Sequence, residues 1–186
     1  VGSIEKIKSI AQKIANSKDQ GHDMVIVVSA MGKTTNELTK LAKLISSNPS
    51  KRELDMLLST GEQVTISLLS MALNSLGIPT ISMTGIQVGI ITESSHSRAR
   101  ILRIQTDRII NLLNDGMTVV IAGFQGTSLG NWGVPEITTL GRGGSDTSAV
   151  ALAASLEAER CEIYTDVPGV LTTDPKVVPE AQLMKE

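Results

Sequence analysis

Aromatic residues are nearly missing: the 186-residue chain holds one Trp, one Tyr and one Phe. The core must therefore be aliphatic, and without aromatic-basic interleaving or a basic block nucleic acid is not an expected partner. Cysteine is reduced to Cys161, which excludes an internal disulfide and suits a reducing cytoplasm. Cys161 itself reads as a small core residue. The two histidines, His22 and His96, lack metal-ligand spacing and read as surface residues. Neither sign of charge dominates, with 17 Lys and Arg against 19 Asp and Glu. No apolar run suggests a bilayer span, and no signal peptide is read. The chain opens on Val1-Gly2-Ser3 at a helix start and closes on Met184-Lys185-Glu186, so a fragment is expected.

What remains is 41% hydrophobic and 19% charged, a globular balance, in a length that suits one domain. Ser3 precedes a helix to about Lys18, with Ile4, Ile7, Ile10, Ala11 and Ile14 on one face. Residues 24–30 form an apolar run too short for a helix, expected as a central strand. Another helix ends near Ser46. A long helical pattern from Lys51 to Leu76 follows, interrupted at residues 59–62 and stopped by Gly77 and Pro79. Strands are expected at 80–84, 99–105, 117–123 and 161–166, and a helix at 106–114. Residues 86–94 read as a loop or small hairpin, and 124–136 as a Gly-rich loop. Helices alternating with strands imply an open, doubly wound α/β sheet, with ligands beyond the carboxyl ends of its strands.

The densest chemistry lies at Thr138-Thr139-Leu140-Gly141-Arg142-Gly143-Gly144-Ser145-Asp146-Thr147-Ser148-Ala149. Its glycines let the backbone approach a ligand closely. Ser145, Asp146 or Thr147 is expected to cap an apolar helix over 149–159, whose amino end favours an anion. Arg142 adds a fork of donors for a carboxylate or phosphate. The plainer alternative is a capped glycine turn with Arg142 in solvent. Glu62 interrupts an apolar helical face beside Gly61. It either escapes to solvent at a kink or faces Arg142 across a zwitterion pocket for an amino acid. Polar clusters also follow the other strands: Ser29 with Lys33, Thr34 and Thr35; residues 123–126; Thr165-Asp166; and Thr172-Thr173-Asp174-Pro175-Lys176. Singly each reads as a turn; together at one sheet edge they point to a site. Asp166 either touches a nucleotide, organises Mg²⁺ through water, or is a turn aspartate.

Five segments, Val27-Val28-Ser29-Ala30-Met31-Gly32, Leu57-Leu58-Ser59-Thr60-Gly61-Glu62, Ala122-Gly123-Phe124-Gln125-Gly126, the turn at 138–149, and Tyr164-Thr165-Asp166-Val167-Pro168-Gly169-Val170 running to Asp174-Pro175, stand in an order that resembles the kinase domain of the aspartokinases, in the amino acid kinase family. The resemblance runs from end to end. It implies a three-layer α/β/α sandwich around a mostly parallel sheet, over residues 1–186 and incomplete. It implies ATP- and Mg²⁺-dependent phosphorylation of the β-carboxylate of L-aspartate, the first step toward lysine, threonine and methionine. It gives Arg142 the substrate α-carboxylate, Glu62 the ammonium, and Thr35 a positioning role. Gly143, Gly144 and Ser145 line the meeting point of substrate and phosphoryl group, and Asp146 orients a catalytic lysine. Ser29 lies near the phosphates. Thr165, Asp166, Leu171, Thr172, Thr173, Asp174, Pro175 and Lys176 surround the nucleotide.

The family's K-F-G-G loop, its later nucleotide-binding lysine segment and its ACT regulatory domains are not in the 186 residues. Pro168, Leu171 and Lys176 replace the family's aspartate, aromatic and arginine. A contact such as the loop lysine's is worth roughly 10²–10³ in rate, so the polypeptide as given is expected to be inactive or nearly so. A cytoplasmic setting and an oligomeric parent enzyme are further expectations. The alternatives are another small-molecule kinase of this fold and a non-catalytic binding or assembly fragment.

Overall fold

The computed structural model describes residues 2–130, 133–165, 169, 172–173, 178 and 180–184. In chain order these form α1 (Ile4–Asp19), β1 (Val25–Val28), α2 (Thr34–Ile45), α3 (Lys51–Ser75), β2 (Thr80–Met83), a one-turn α4 (Gly85–Val88), β3 (Ile90–Thr92), β4 (Ile101–Ile104), α5 (Asp107–Asn114), β5 (Thr118–Ala122), β6 (Gln125–Leu129), β7 (Pro135–Thr139) and α6 (Gly144–Ser155). Ser3 caps α1 as expected, its hydroxyl accepting from the Lys6 N–H at 3.3 Å. Glu5 in the first turn and Lys18 in the last suit the helix dipole.

The strands separate into two sheets. One is wholly parallel, in the order β1-β5-β2, with Val28 beside Ala122 and Met83 beside Ile121. The other is mixed, in the order β4-β3-β6-β7, and is parallel only between β3 and β6. All five residues of β5 are buried. Val120 and Ala122 face a cluster with Ile7, Ala11 and Ile14 of α1 and Ile66, Leu69 and Leu73 of α3. Val119 and Ile121 face the other way, toward Ile109 of α5 and Leu152 of α6. Period-two alternation in one strand thus supplies both cores of an α/β/α sandwich.

Several details differ from the sequence reading. Among the described residues β1 is an edge strand, and β5 occupies the centre. Helix α3 is unbroken through residues 59–62, because Gly61 serves packing: a Cβ there would lie 2.8 Å from the Ala30 Cβ. By length and composition α3 is apolar enough to cross a membrane. Its buried face, however, carries Asp55 and Glu62 and packs inside the domain.

The expected loop at 124–136 is largely the β6–β7 hairpin. Gln125, Thr127 and Ser128 are buried, so this is an internal strand of small polar residues that hydropathy cannot reveal. Residues 161–165 form no strand and are exposed, Cys161 included; among the described residues no neighbouring strand completes their hydrogen bonding. His96 is half-buried between two carboxylates, not a surface residue. Helix α6 begins at Gly144 and is N-capped by left-handed Gly143, φ 73°, with no side-chain cap. Ser145, Asp146 and Thr147 sit inside its first turn, because the αL glycine leaves the preceding backbone turned away from them.

Candidate active site

The parallel sheet ends where the sequence concentrates its polar residues. Ser29 follows β1 and is exposed; Gly123 follows β5 and donates its N–H to the Val28 carbonyl at 3.0 Å. A Cβ on Gly123 would lie 2.9 Å from the Cα, Cβ and Oγ of Ser145. The first turn of α6 therefore sits directly on the end of the central strand. Gly144 makes a second close approach, to the Phe124 ring and the Leu140 Cβ. The left-handed Phe124, φ 67°, donates its N–H to Ser148 Oγ at 3.1 Å, and that hydroxyl donates to the Gly144 carbonyl at 2.8 Å. These contacts fix the helix mouth from below.

Above it the site is open. A Cβ on Gly143 would meet nothing within 4 Å. With no side chain capping α6, first-turn N–H groups face outward with the positive end of the helix dipole. Arg142 is exposed at the same turn. Such a mouth fits a carboxylate or phosphate oxygen. Among the described residues no group of three or more His, Cys, Asp and Glu side chains is placed to hold a metal ion.

Glu62 supplies the opposite charge. It is 3% exposed, and Oε1 accepts from the Ala30 N–H at 3.1 Å. Oε2 is buried and has no hydrogen-bond partner among the described residues. Burial pushes the carboxyl up to about 7, against the smaller pull of its backbone hydrogen bonds. Glu62 reaches this position because Gly61 lets α3 close against Ala30 and the start of α2: its Cβ position is 3.4 Å from Thr34 Cγ2. Thr35, half-buried, opens the same turn of α2. Ser29, Thr35, Glu62 and the turn at 142–146 are thus all held on elements that meet at the carboxyl ends of β1 and β5. No ion pair joins Glu62 to Arg142 directly.

Asp146 is exposed in the first turn of α6. Thr165, Thr172 and Thr173 are exposed, and among the described residues no hydrogen bond ties them to this turn; the Thr172 N–H donates instead to the Gln182 carbonyl at 2.9 Å. Asp166, Leu171, Asp174, Pro175 and Lys176 lie outside the described residues, as do Trp132 and Pro168.

Sequence reasoning missed Asp55, which is fully buried. It accepts from the Ser97 N–H at 3.0 Å, the Thr139 N–H at 3.1 Å and the Thr139 hydroxyl at 2.6 Å. His96 Nδ1 lies 2.9 Å from it, and His96 Nε2 lies 3.4 Å from Glu136. The Arg52 Nε donates to Glu136 at 3.1 Å. Gln125, read from the sequence only as part of the polar cluster at 123–126, is buried and donates from Nε2 to the Ser59 carbonyl at 3.1 Å. One signal was available: Asp55, Ser59 and Glu62 share one face of a helix.

An α/β/α sandwich thus carries, at the strand ends of its parallel sheet, a helix mouth with no side-chain cap and a buried acid. The chain belongs to the amino acid kinase family, whose model matches residues 1–186. It is 59% identical to an aspartokinase of Geobacillus stearothermophilus, over 100% of this chain and 45% of that protein. It is 58% identical to aspartokinase 2 of Bacillus subtilis, over 100% of this chain and 44% of that protein. The chain thus spans less than half the length of these curated relatives. Among solved structures, an aspartate kinase from Synechocystis superposes with a TM-score of 0.78 at 59% identity, covering 99% of this chain and 30% of that one. E. coli aspartokinase III in complex with aspartate and ADP gives 0.63 at 34% identity, over 82% of this chain and 34% of that one.

Proposed function

We propose that this chain provides the aspartate-binding part of an aspartate kinase, which transfers the γ-phosphoryl of ATP to the β-carboxylate of L-aspartate. A carboxylate oxygen attacks phosphorus, the bond from phosphorus to the β–γ bridging oxygen breaks, and ADP leaves with 4-phospho-L-aspartate as the other product. The observation that carries this reading is Glu62. A buried carboxyl with one unpartnered oxygen is costly in an empty fold and useful opposite an ammonium group.

Arg142 is assigned the α-carboxylate, with Thr35 beside the amino end. Gly143, Gly144 and Ser145 line the meeting point of substrate and transferring phosphoryl, and Asp146 sits beside them to orient a lysine. Ser29 is assigned a place near the phosphates, and Thr165, Asp166 and residues 171–176 are assigned to the nucleotide. Bound Mg²⁺-ATP would supply the phosphoryl group and neutralise its charge; the work of the chain's own residues is positioning and electrostatic stabilisation. A place early in lysine, threonine and methionine synthesis follows from that product. A cytoplasmic, oligomeric setting is part of the same proposal, in keeping with the exposed thiol of Cys161.

Binding and turnover are separate tests, because the relatives are more than twice as long. Calorimetry should show L-aspartate binding, with N-acetylglutamate and carbamate silent. ADP release coupled to a hydroxylamine trap reads turnover, which for this chain by itself is expected to be absent or nearly so. Binding of either competitor in preference to aspartate would assign the chain to another kinase of this fold. Aspartate binding without turnover would favour a non-catalytic role.

A further inference from the structure

Arg142 is exposed, yet the strand leading to it is fixed by a buried carboxylate. We infer that Asp55 is a positioning residue for the Arg142 turn, an inference that rests on the aspartate reading above. Asp55 holds both the N–H and the hydroxyl of Thr139, the last residue of β7 and three before Arg142. The same carboxylate holds the Ser97 N–H. The Thr139 carbonyl accepts from the Ala99 N–H at 2.9 Å, and Thr138 Oγ1 lies 2.6 Å from Thr92 Oγ1. Beyond Thr139, the Leu140 N–H donates to the Phe124 carbonyl at 2.9 Å, and the Gly144 N–H donates to the Gly141 carbonyl at 3.0 Å. A Cβ on Gly141 would lie 3.2 Å from the Ser97 carbonyl oxygen. One carboxylate thus joins α3, the segment before β4 and the end of β7, while the turn beyond hangs from this junction.

The chemistry requires an ionised acceptor. Donors converge on Asp55 from Ser97 N, Thr139 N and Thr139 Oγ1, with His96 Nδ1 at 2.9 Å. A carboxylate can accept from all of them, whereas an amide presents two hydrogens of its own to the same donors. His96 is itself flanked by Glu136, which Arg52 neutralises. Asp55 also sits on the buried face of α3 that carries Glu62, so one helix would set the spacing between the two ends of the ligand.

The test compares Asp55→Asn, Thr139→Val and Thr139→Ser in the otherwise unaltered protein, by amide hydrogen exchange and by calorimetric titration. In Asp55→Asn, exchange at Leu140 and Gly144 should accelerate about tenfold or more relative to Val120 of β5, since only the turn is released. The Kd for aspartate should rise about tenfold to a hundredfold with the Kd for ATP unchanged, as expected when a substrate-holding group is misplaced by an ångström or less. Thr139→Val should show smaller changes of the same kind, and Thr139→Ser should restore both values. Uniform acceleration at Val120 and Leu140 with unchanged Kd values would mean that Asp55 only supports the fold, and would overturn the inference. Should Asp55→Asn not fold, the threonine pair decides: equal Kd values and equal Leu140 exchange in the valine and serine variants overturn it. If the unsubstituted protein neither binds nor turns over aspartate, the functional reading fails on its own, and the exchange rates still decide whether Asp55 governs the turn.

Discussion

In its first half α3 buries Asp55, Leu58, Ser59, Gly61 and Glu62; in its second it buries Thr65, Ile66, Leu69, Ser70 and Leu73. The helix and its inward face are the same, but the surroundings are not. The second half lies against α1 and the parallel sheet in a shared aliphatic cluster. Around the first half lie strand ends and turns: Ala30 beyond β1, Gln125 of β6 and Thr139 of β7. Backbone groups leaving a sheet need partners, and polar side chains at that level supply them. The same groups are then placed to meet a ligand. Stability should therefore be concentrated in one half and recognition in the other, and the two should separate under mutation.

The largest effect expected on stability is at Leu69, which is 1% exposed. Leu69→Ala should cost about 3 kcal/mol in denaturant unfolding and leave aspartate affinity unchanged. A large loss of affinity in the remaining folded protein would break the division between the halves.

Glu62→Gln should do the reverse. Aspartate affinity should fall by about 2 kcal/mol, the worth of a hydrogen bond to a charged group, as read by calorimetry. Stability at pH 8 should not fall, because the variant no longer buries a charge. A drop in stability comparable with that of Leu69→Ala would sink the comparison.

The pH dependence sharpens the contrast. The unfolded chain loses the Glu62 proton near 4.5, whereas the folded chain holds it to about 7. The native state binds the extra proton between these values, so stability should fall as pH rises through that window and level off above it. The loss should be roughly 3 kcal/mol in total. Glu62→Gln should remove this component from a series of unfolding curves. Binding should run the opposite way: an ammonium group favours the ionised acid, so aspartate affinity should increase from pH 6 to 8, with a proton released. Calorimetry in buffers of different ionisation enthalpy would count that proton, and a count of zero would remove the ammonium from Glu62.

The smallest effect expected is at Ser148, whose hydroxyl accepts from the Phe124 N–H. Ser148→Ala should cost about 1 kcal/mol of stability. It should weaken aspartate only slightly, since Gly123 and Gly144 still pack the helix mouth against the strand end.

Much of the sandwich was legible in the chain. Ser3 declares the start of α1, the Val-Ile run of β1 and residues 119–122 of β5 are apolar, and Gly77 and Pro79 stop α3. The glycines and Arg142 of the turn, and Glu62 as an acid on an apolar face, could be singled out because each breaks its local pattern. The β6–β7 hairpin could not, since its buried residues are Gln, Thr and Ser and their partners lie on other strands. Nor could the pairing of Asp55 with His96, separated by 41 positions, or the outcome for the strand expected at 161–166, of which residues 161–165 find no ladder partner among the described residues.

By itself the sequence determined periodicity, caps and the identities of the charged groups, because these depend on neighbours within a few residues. Only the tertiary structure decided which polar groups are buried together. Gly61 against Ala30, Gly123 against Ser145 and Asp55 against Thr139 are contacts between segments that the chain keeps far apart. A charge acquires a shifted proton affinity, or an acid acquires the task of holding a turn, only when packing has excluded water from around it.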